Sequence, residues 1–221
     1  TSQYLVKAGA LDNTVILALL GGIMLWIFPW RGQYEITVSL LEDLWNRNLV
    51  NLFATPVKFM EWVVTLLLIG VFKAIVSFGF ASVVAILLYQ TNIYTLGIKL
   101  LPWAGLLIVF GWVFGLLVAG IIMRYGTKIQ TLAWTAIHLV SPFIGVYYSI
   151  DTLPSWAQTV SRFVPASYVF EAMRSEISGV AVPLNNLLLP FVLCVIYLAI
   201  ALWILTRSYL HILKRGLISV E

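Results

Sequence analysis

Charge is scarce in this chain. Lys and Arg total 13 and Asp and Glu 9, so charged residues make up 10% of the sequence, against about 25% in soluble globular proteins. A water-filled exterior cannot be built from so few, and most of the surface must face lipid. Cysteine is nearly absent as well. Cys194 is the only one, which excludes an intrachain disulfide and any multi-cysteine metal site. The two histidines, His138 and His211, have no neighbouring Cys or carboxylate at metal-ligand spacing. No G-x-x-x-x-G-K-[ST] phosphate loop occurs, so the chain does not bind ATP by that route. The basic residues are scattered, which gives nucleic-acid binding no support. Thr1 to Asp12 lacks the charged, apolar and cleavage-site pattern of a signal peptide, and we expect the sequence to be part of a longer one.

Hydrophobic residues supply 62% of the chain, and apolar runs near the roughly 20 residues that cross a bilayer recur five times. The first reads as 13–30, ending at Pro29, Trp30 and Arg31 in the manner of an interface anchor. Gly32 to Glu61 carries Glu35, Glu42, Asp43, Arg47, Lys58 and Glu61, and is expected outside the hydrocarbon. Further spans are expected at 62–89, 102–123 and 131–150, the third and fourth antiparallel because their connection is short. A Pro- and Gly-punctuated amphipathic segment fills 151–183. The last span is 185–205, and a basic tail at 206–221 carries Arg207, His211, Lys214 and Arg215. Lys and Arg favour one set of connections by eight to four, which predicts a cytoplasmic C-terminus and a first span starting outside. The expected fold class is an all-α polytopic membrane protein.

From Ile36 to Phe53 the residues Leu40, Leu41, Leu44, Trp45, Leu49, Leu52 and Phe53 recur every three or four positions, with Glu42, Asp43, Asn46, Arg47 and Asn51 largely opposite. This predicts an amphipathic helix at the membrane surface over 35–56, closed by Thr55 and Pro56. It is either a plain interfacial anchor or a face offered to a cytoplasmic partner.

Two stretches stand out as motifs. The first is the amphipathic segment ending Ala54-Thr55-Pro56-Val57 before a long span. The second runs through Ser141-Pro142-Phe143-Ile144-Gly145-Val146-Tyr147-Tyr148, then Leu153-Pro154-Ser155-Trp156, then Pro165-Ala166-Ser167-Tyr168 to Glu171 and Arg174. The first resembles the coupling region of type-2 ATP-binding-cassette permeases and the second is similar to that family's outer-face signature, although Ser141-Pro142 stands where many members carry Ser-Gly. The resemblance covers Asn13 to Leu205. It implies that 35–56 is the ATPase-coupling helix, with Glu42, Leu44, Trp45, Arg47, Leu49, Thr55 and Pro56 at the contact. It also implies that Tyr147, Tyr148, Leu153, Pro154, Trp156, Pro165, Tyr168, Glu171 and Arg174 form a re-entrant outer gate. The family usually has six spans, so a first span is expected to be missing. The implied protein is a plasma-membrane exporter subunit that is not catalytic itself. It would pair with a second permease copy or a related chain and be driven by separate subunits that bind ATP and Mg.

Lys73 falls about 16 Å into its span by helical rise, where an ammonium must face a partner, water or a pathway. It is the candidate pathway residue, with snorkelling as the alternative. Glu171 and Arg174, three apart, can pair on a helix whether their segment is re-entrant or a solvated surface helix. Gly111 and Gly115 form a G-x-x-x-G that allows close helix approach. Other classes remain: a secondary transporter, though no paired repeat is visible; a non-transporting membrane scaffold; and an intramembrane enzyme, for which only Lys73 and His138 are available.

Overall fold

The computed structural model describes residues 13–46, 48 and 56–215. The described residues form seven α-helices and no strand, the longer helices following from apolar runs punctuated by Pro, Gly and short polar turns. They are α1 (Asn13–Trp45), α2 (Phe59–Tyr89), α3 (Leu100–Tyr125), α4 (Leu132–Ile144), α5 (Ser155–Ser161), α6 (Pro165–Ile177) and α7 (Leu188–Arg215). Four segments are long and apolar enough to cross a bilayer, one each around α1, α2, α3 and α7. The chain is thus a polytopic helical protein suited to a membrane.

Two expected boundaries are corrected. The first helix does not stop near Trp30. It runs unbroken to Trp45 with Pro29 inside it, and Gln33, Glu35 and Thr37 are buried rather than lying in a solvated interval. At 33 residues it is about 50 Å long, enough to cross a bilayer and still project. Residues 35–45 are therefore its continuation and not a separate amphipathic helix. Of the rest of the expected coupling segment, Arg47, Leu49 and Thr55 lie outside the described residues. The expected span at 131–150 is also shortened, because α4 has only 13 residues. It ends where Gly145 takes a left-handed φ of 72°. At about 20 Å it falls short of a bilayer core, leaving four long helices where five spans were expected.

Helix ends follow local chemistry. Glu61, in the first turn of α2, accepts from the Lys58 backbone N–H at 3.1 Å, which satisfies a free donor at the positive end of the helix. Pro165 opens α6 at its first position, where a missing N–H costs nothing. Gly179, at φ 82°, closes α6: its N–H donates to Glu176 O, and Val180 N–H donates to Ser175 O, the glycine-closed motif typical of helix C-termini.

The described chain forms two compact units. The first takes residues up to Phe28, Ile75–Leu107 and Val140–Leu193. Here α6 buries Val169, Phe170 and Met173, and α1 approaches it at Gly21 and the turn after α4 at Gly22. A Cβ on Gly21 would lie 3.1 Å from Met173 Sδ, and one on Gly22 would strike the Val146 carbonyl.

The second unit takes Pro29–Ala74, Ile108–Leu139 and the chain from Cys194 onward. Its core joins Ile36, Leu40 and Leu41 of α1, Trp62 and Leu66 of α2, Leu116 and Ile122 of α3, and Leu205 of α7. Three glycines on α3 set the spacing. A Cβ on Gly111 would strike the Pro29 backbone, one on Gly115 would lie 2.6 Å from Ile36 Cδ1, and one on Gly120 would lie 3.2 Å from Leu205 Cα. The G-x-x-x-G thus packs α3 against α1 inside one chain. The bilayer-length window around α3 is 72% buried, against 17% for α2. Consequently α3 is an interior helix, while α2 turns Leu68, Phe72 and Phe80 outward.

Candidate functional site

Polar groups gather at two places, one in each unit. In the second unit, Lys73 Nζ donates to Glu35 Oε1 at 2.6 Å. The Glu35 side chain is 8% exposed and that of Lys73 49%. Gly70, one turn before Lys73, also faces Glu35: a Cβ there would lie in ordinary contact, 3.5 Å from Glu35 Cβ. A carboxylate this enclosed needs a cation, and Lys73 supplies it. Sequence reasoning found Lys73 but missed Glu35, having assigned that glutamate to a solvated interval.

Two residues before Glu35 on α1, Gln33 ties α1 to α4. Its Nε2 donates to Ala133 O and its Oε1 accepts from Ile137 N–H, both at 2.9 Å. Those two backbone groups are an i, i+4 pair, the very partners that an α-helix normally joins to each other. Thr37 Oγ1 donates to the same Ala133 carbonyl at 2.9 Å. Nothing in the hydrophobic pattern singled out Gln33 or Thr37. The usable signal was two polar residues four apart, Gln33 and Thr37, within a helical run.

Residues of the expected coupling face lie at the end of α1. Glu42 is exposed, whereas Leu44 packs on the second unit's core. Trp45, half exposed, donates from Nε1 to Gln130 Oε1 at 3.3 Å and stacks on Trp134 at 6.3 Å. Pro56 is exposed in a bend. His138 sits on an exposed face of α4.

In the first unit, the expected gate residues are brought together as a helix, a break and a second helix. Pro154 precedes α5 and Pro165 starts α6. Tyr168 Oη donates to Arg162 O at 2.9 Å and so staples the break. Tyr148 Oη donates to Pro142 O at 2.6 Å. Glu171 Oε1 accepts from Ile150 N–H and from Arg174 Nη2, each at 2.8 Å. Gly145 is required here, because its φ is positive and a Cβ would lie 3.0 Å from Arg174 Nη2. Leu153 is half-buried and its carbonyl accepts from Gln158 Nε2 at 2.8 Å. Trp156 is exposed and meets Phe143 edge-on at 5.9 Å. Tyr147 is exposed without a described role.

At the far end of α6, Glu176 accepts from Lys99 Nζ and from the Val182 backbone N–H. The Lys99 hydrogen bond, followed by that from Val182, holds its carboxyl below the ordinary value of 4.5. Among the described residues no cluster of His, Cys, Asp and Glu could hold a metal ion. No protein-family model and no curated protein matches this chain.

Proposed function

We propose that the chain is the permease subunit of an ATP-driven exporter of the type-2 ATP-binding-cassette kind. The observation that carries this reading is the segment from Ser141 to Arg174. Its residues resemble that family's outer-face signature, and they occupy the joints of a helix–break–helix inserted between α4 and α7. Pro154 and Pro165 start its helices, Tyr168 staples the break, and Glu171 with Arg174 fixes it to the turn at Ile150. In this reading the segment gates a pathway formed with a second copy or a related chain in the plasma membrane. The C-terminus is cytoplasmic, and separate subunits bind ATP and Mg and dock near Glu42 and Trp45. The cargo belongs to the family's drugs, lipids or polysaccharides.

A second reading rests on the Glu35–Lys73 pair. Ionisable groups within spans mark ion and proton routes, which suits a gradient-driven secondary transporter.

Purification of the full-length protein from its native membrane in mild detergent, with mass spectrometry and an ATPase assay, separates the two. The permease reading expects a stoichiometric ATPase subunit that is lost in Trp45→Glu while the permease stays monodisperse. A chain that purifies alone, without ATPase activity, overturns it. Gradient-driven uptake abolished by Lys73→Met would then support the second reading.

A further inference from the structure

The first unit contains a cavity of about 350 Å³, at the lower end of the ~300–1,000 Å³ usual for small-molecule sites. Its wall is formed by the turn at Ile150 and Asp151, the inner side of α5, one stripe of α6 and the stretch from Val182 to Leu187. Several polar groups on this wall are already used. Gln158 donates to the Asp151 and Leu153 carbonyls, Tyr168 donates to Arg162 O, and one oxygen of Glu171 serves Ile150 and Arg174. Others are not. Among the described residues the Arg162 guanidinium, the Asp151 carboxylate and the Asn186 amide, all on exposed residues, and the half-buried Ser175 hydroxyl have no hydrogen-bond or ion-pair partner within the protein.

This inventory discriminates between ligand charges. A bare anion would gain Arg162 but meet Asp151 and the second oxygen of Glu171. A bare cation would meet Arg162. A zwitterion satisfies both, with its anionic end on Arg162 and Asn186 and its ammonium on the carboxylates. Helix α5 indicates the source. Trp156 and Val160, with Phe163 just beyond its end, are exposed and lie on one side at helical spacing, while Gln158, Ser161 and Arg162 face the cavity. A helix apolar outward and polar inward belongs at a lipid headgroup layer.

We propose that this cavity holds the phosphoethanolamine headgroup of a membrane phospholipid. The phosphate sits against Arg162 and Asn186, and the ammonium sits against Asp151 and Glu171. The site stands on these residues alone and does not depend on the transport reading.

The test uses the delipidated full-length protein exchanged into an equal mixture of phosphatidylethanolamine and phosphatidylglycerol, with retained lipid read by native mass spectrometry. Retention of phosphatidylethanolamine should exceed that of phosphatidylglycerol by about tenfold, the scale of one charge-assisted hydrogen bond. Asp151→Asn should bring the two to near parity, and Ser175→Leu, which fills the cavity, should lower retention of phosphatidylethanolamine. Asp151 is exposed, so its variant keeps the test open even where Ser175→Leu fails to fold. Equal retention in the unaltered protein overturns the proposal, as does a preference that Asp151→Asn leaves intact. Free O-phosphoethanolamine is the second arm. Failure to displace the lipid at equal concentration supports a membrane source, and full displacement assigns the cavity to a soluble zwitterion and overturns the lipid assignment.

Discussion

At the scale of single residues, pairing dominates. Glu35 is enclosed and Lys73 is half open, so the two halves of the pair are not equivalent. Lys73→Met leaves a buried carboxylate without its cation and should destabilise the protein by about 1–3 kcal/mol. Lys73→Met combined with Glu35→Gln should recover part of that loss, and a double-mutant cycle in reversible detergent unfolding reads the difference. Glu176 responds to acid in a predictable direction. Its folded-state pKa lies below the ordinary 4.5, chiefly through Lys99. The stabilisation is therefore present above pH 4.5 and is lost as pH falls through the lower folded value. In Glu176→Gln that part of the acid dependence should vanish, which acid titration of near-ultraviolet circular dichroism measures.

At the scale of elements, close approach is set by glycine, and the two substitutions Gly111→Ala and Gly115→Ala should differ. A Cβ on Gly111 meets the Pro29 backbone, which cannot step aside, whereas the tightest contact of one on Gly115 is the flexible end of Ile36, with Ile36 Cβ and Gln33 Cα farther off at 3.1 and 3.3 Å. Gly111→Ala should cost about 3 kcal/mol and Gly115→Ala about 1 kcal/mol, within the range for overpacking, as read by thermal stability in detergent. The G-x-x-x-G spacing was legible in the sequence, but its partner helix was not. Apolar runs located α2, α3 and α7 because periodicity and length survive in any context. The end of α1 was misread because Gln33, Glu35 and Thr37 look like a loop when counted as polar residues. Each is satisfied by a group 38 to 104 positions away, which no local window contains. In the 151–183 segment the Pro and Gly punctuation was legible in the sequence, but the limits of α6 at Pro165 and Gly179 were not assigned from it. The Glu171 contact to Ile150 was not visible, because it uses a backbone N–H that carries no residue signature.

At the scale of the whole molecule, the buried single cysteine is an advantage. Cys194 is almost fully enclosed, so the unaltered protein should react slowly with membrane-impermeant maleimide. The orientation predicted from Lys and Arg can then be read cleanly. Lys58→Cys and Lys128→Cys should label from one side of sealed vesicles, and Thr95→Cys from the other. Labelling of Lys128→Cys from the same side as Thr95→Cys would refute that orientation and the expected positions of both connections.

The polar clamp on α1 also imposes an order on the birth of the protein. Glu35 waits 38 residues for Lys73, whereas Gln33 waits 100 residues for Ala133 and 104 for Ile137. At a synthesis rate of about 5–20 residues per second, the amide goes roughly 5–20 s without its partners. A ribosome that stalls between residues 73 and 133 therefore leaves α1 with its charge neutralised and its amide unanswered. Such a half-made chain differs from the finished one by a buried amide that has not yet met its partners.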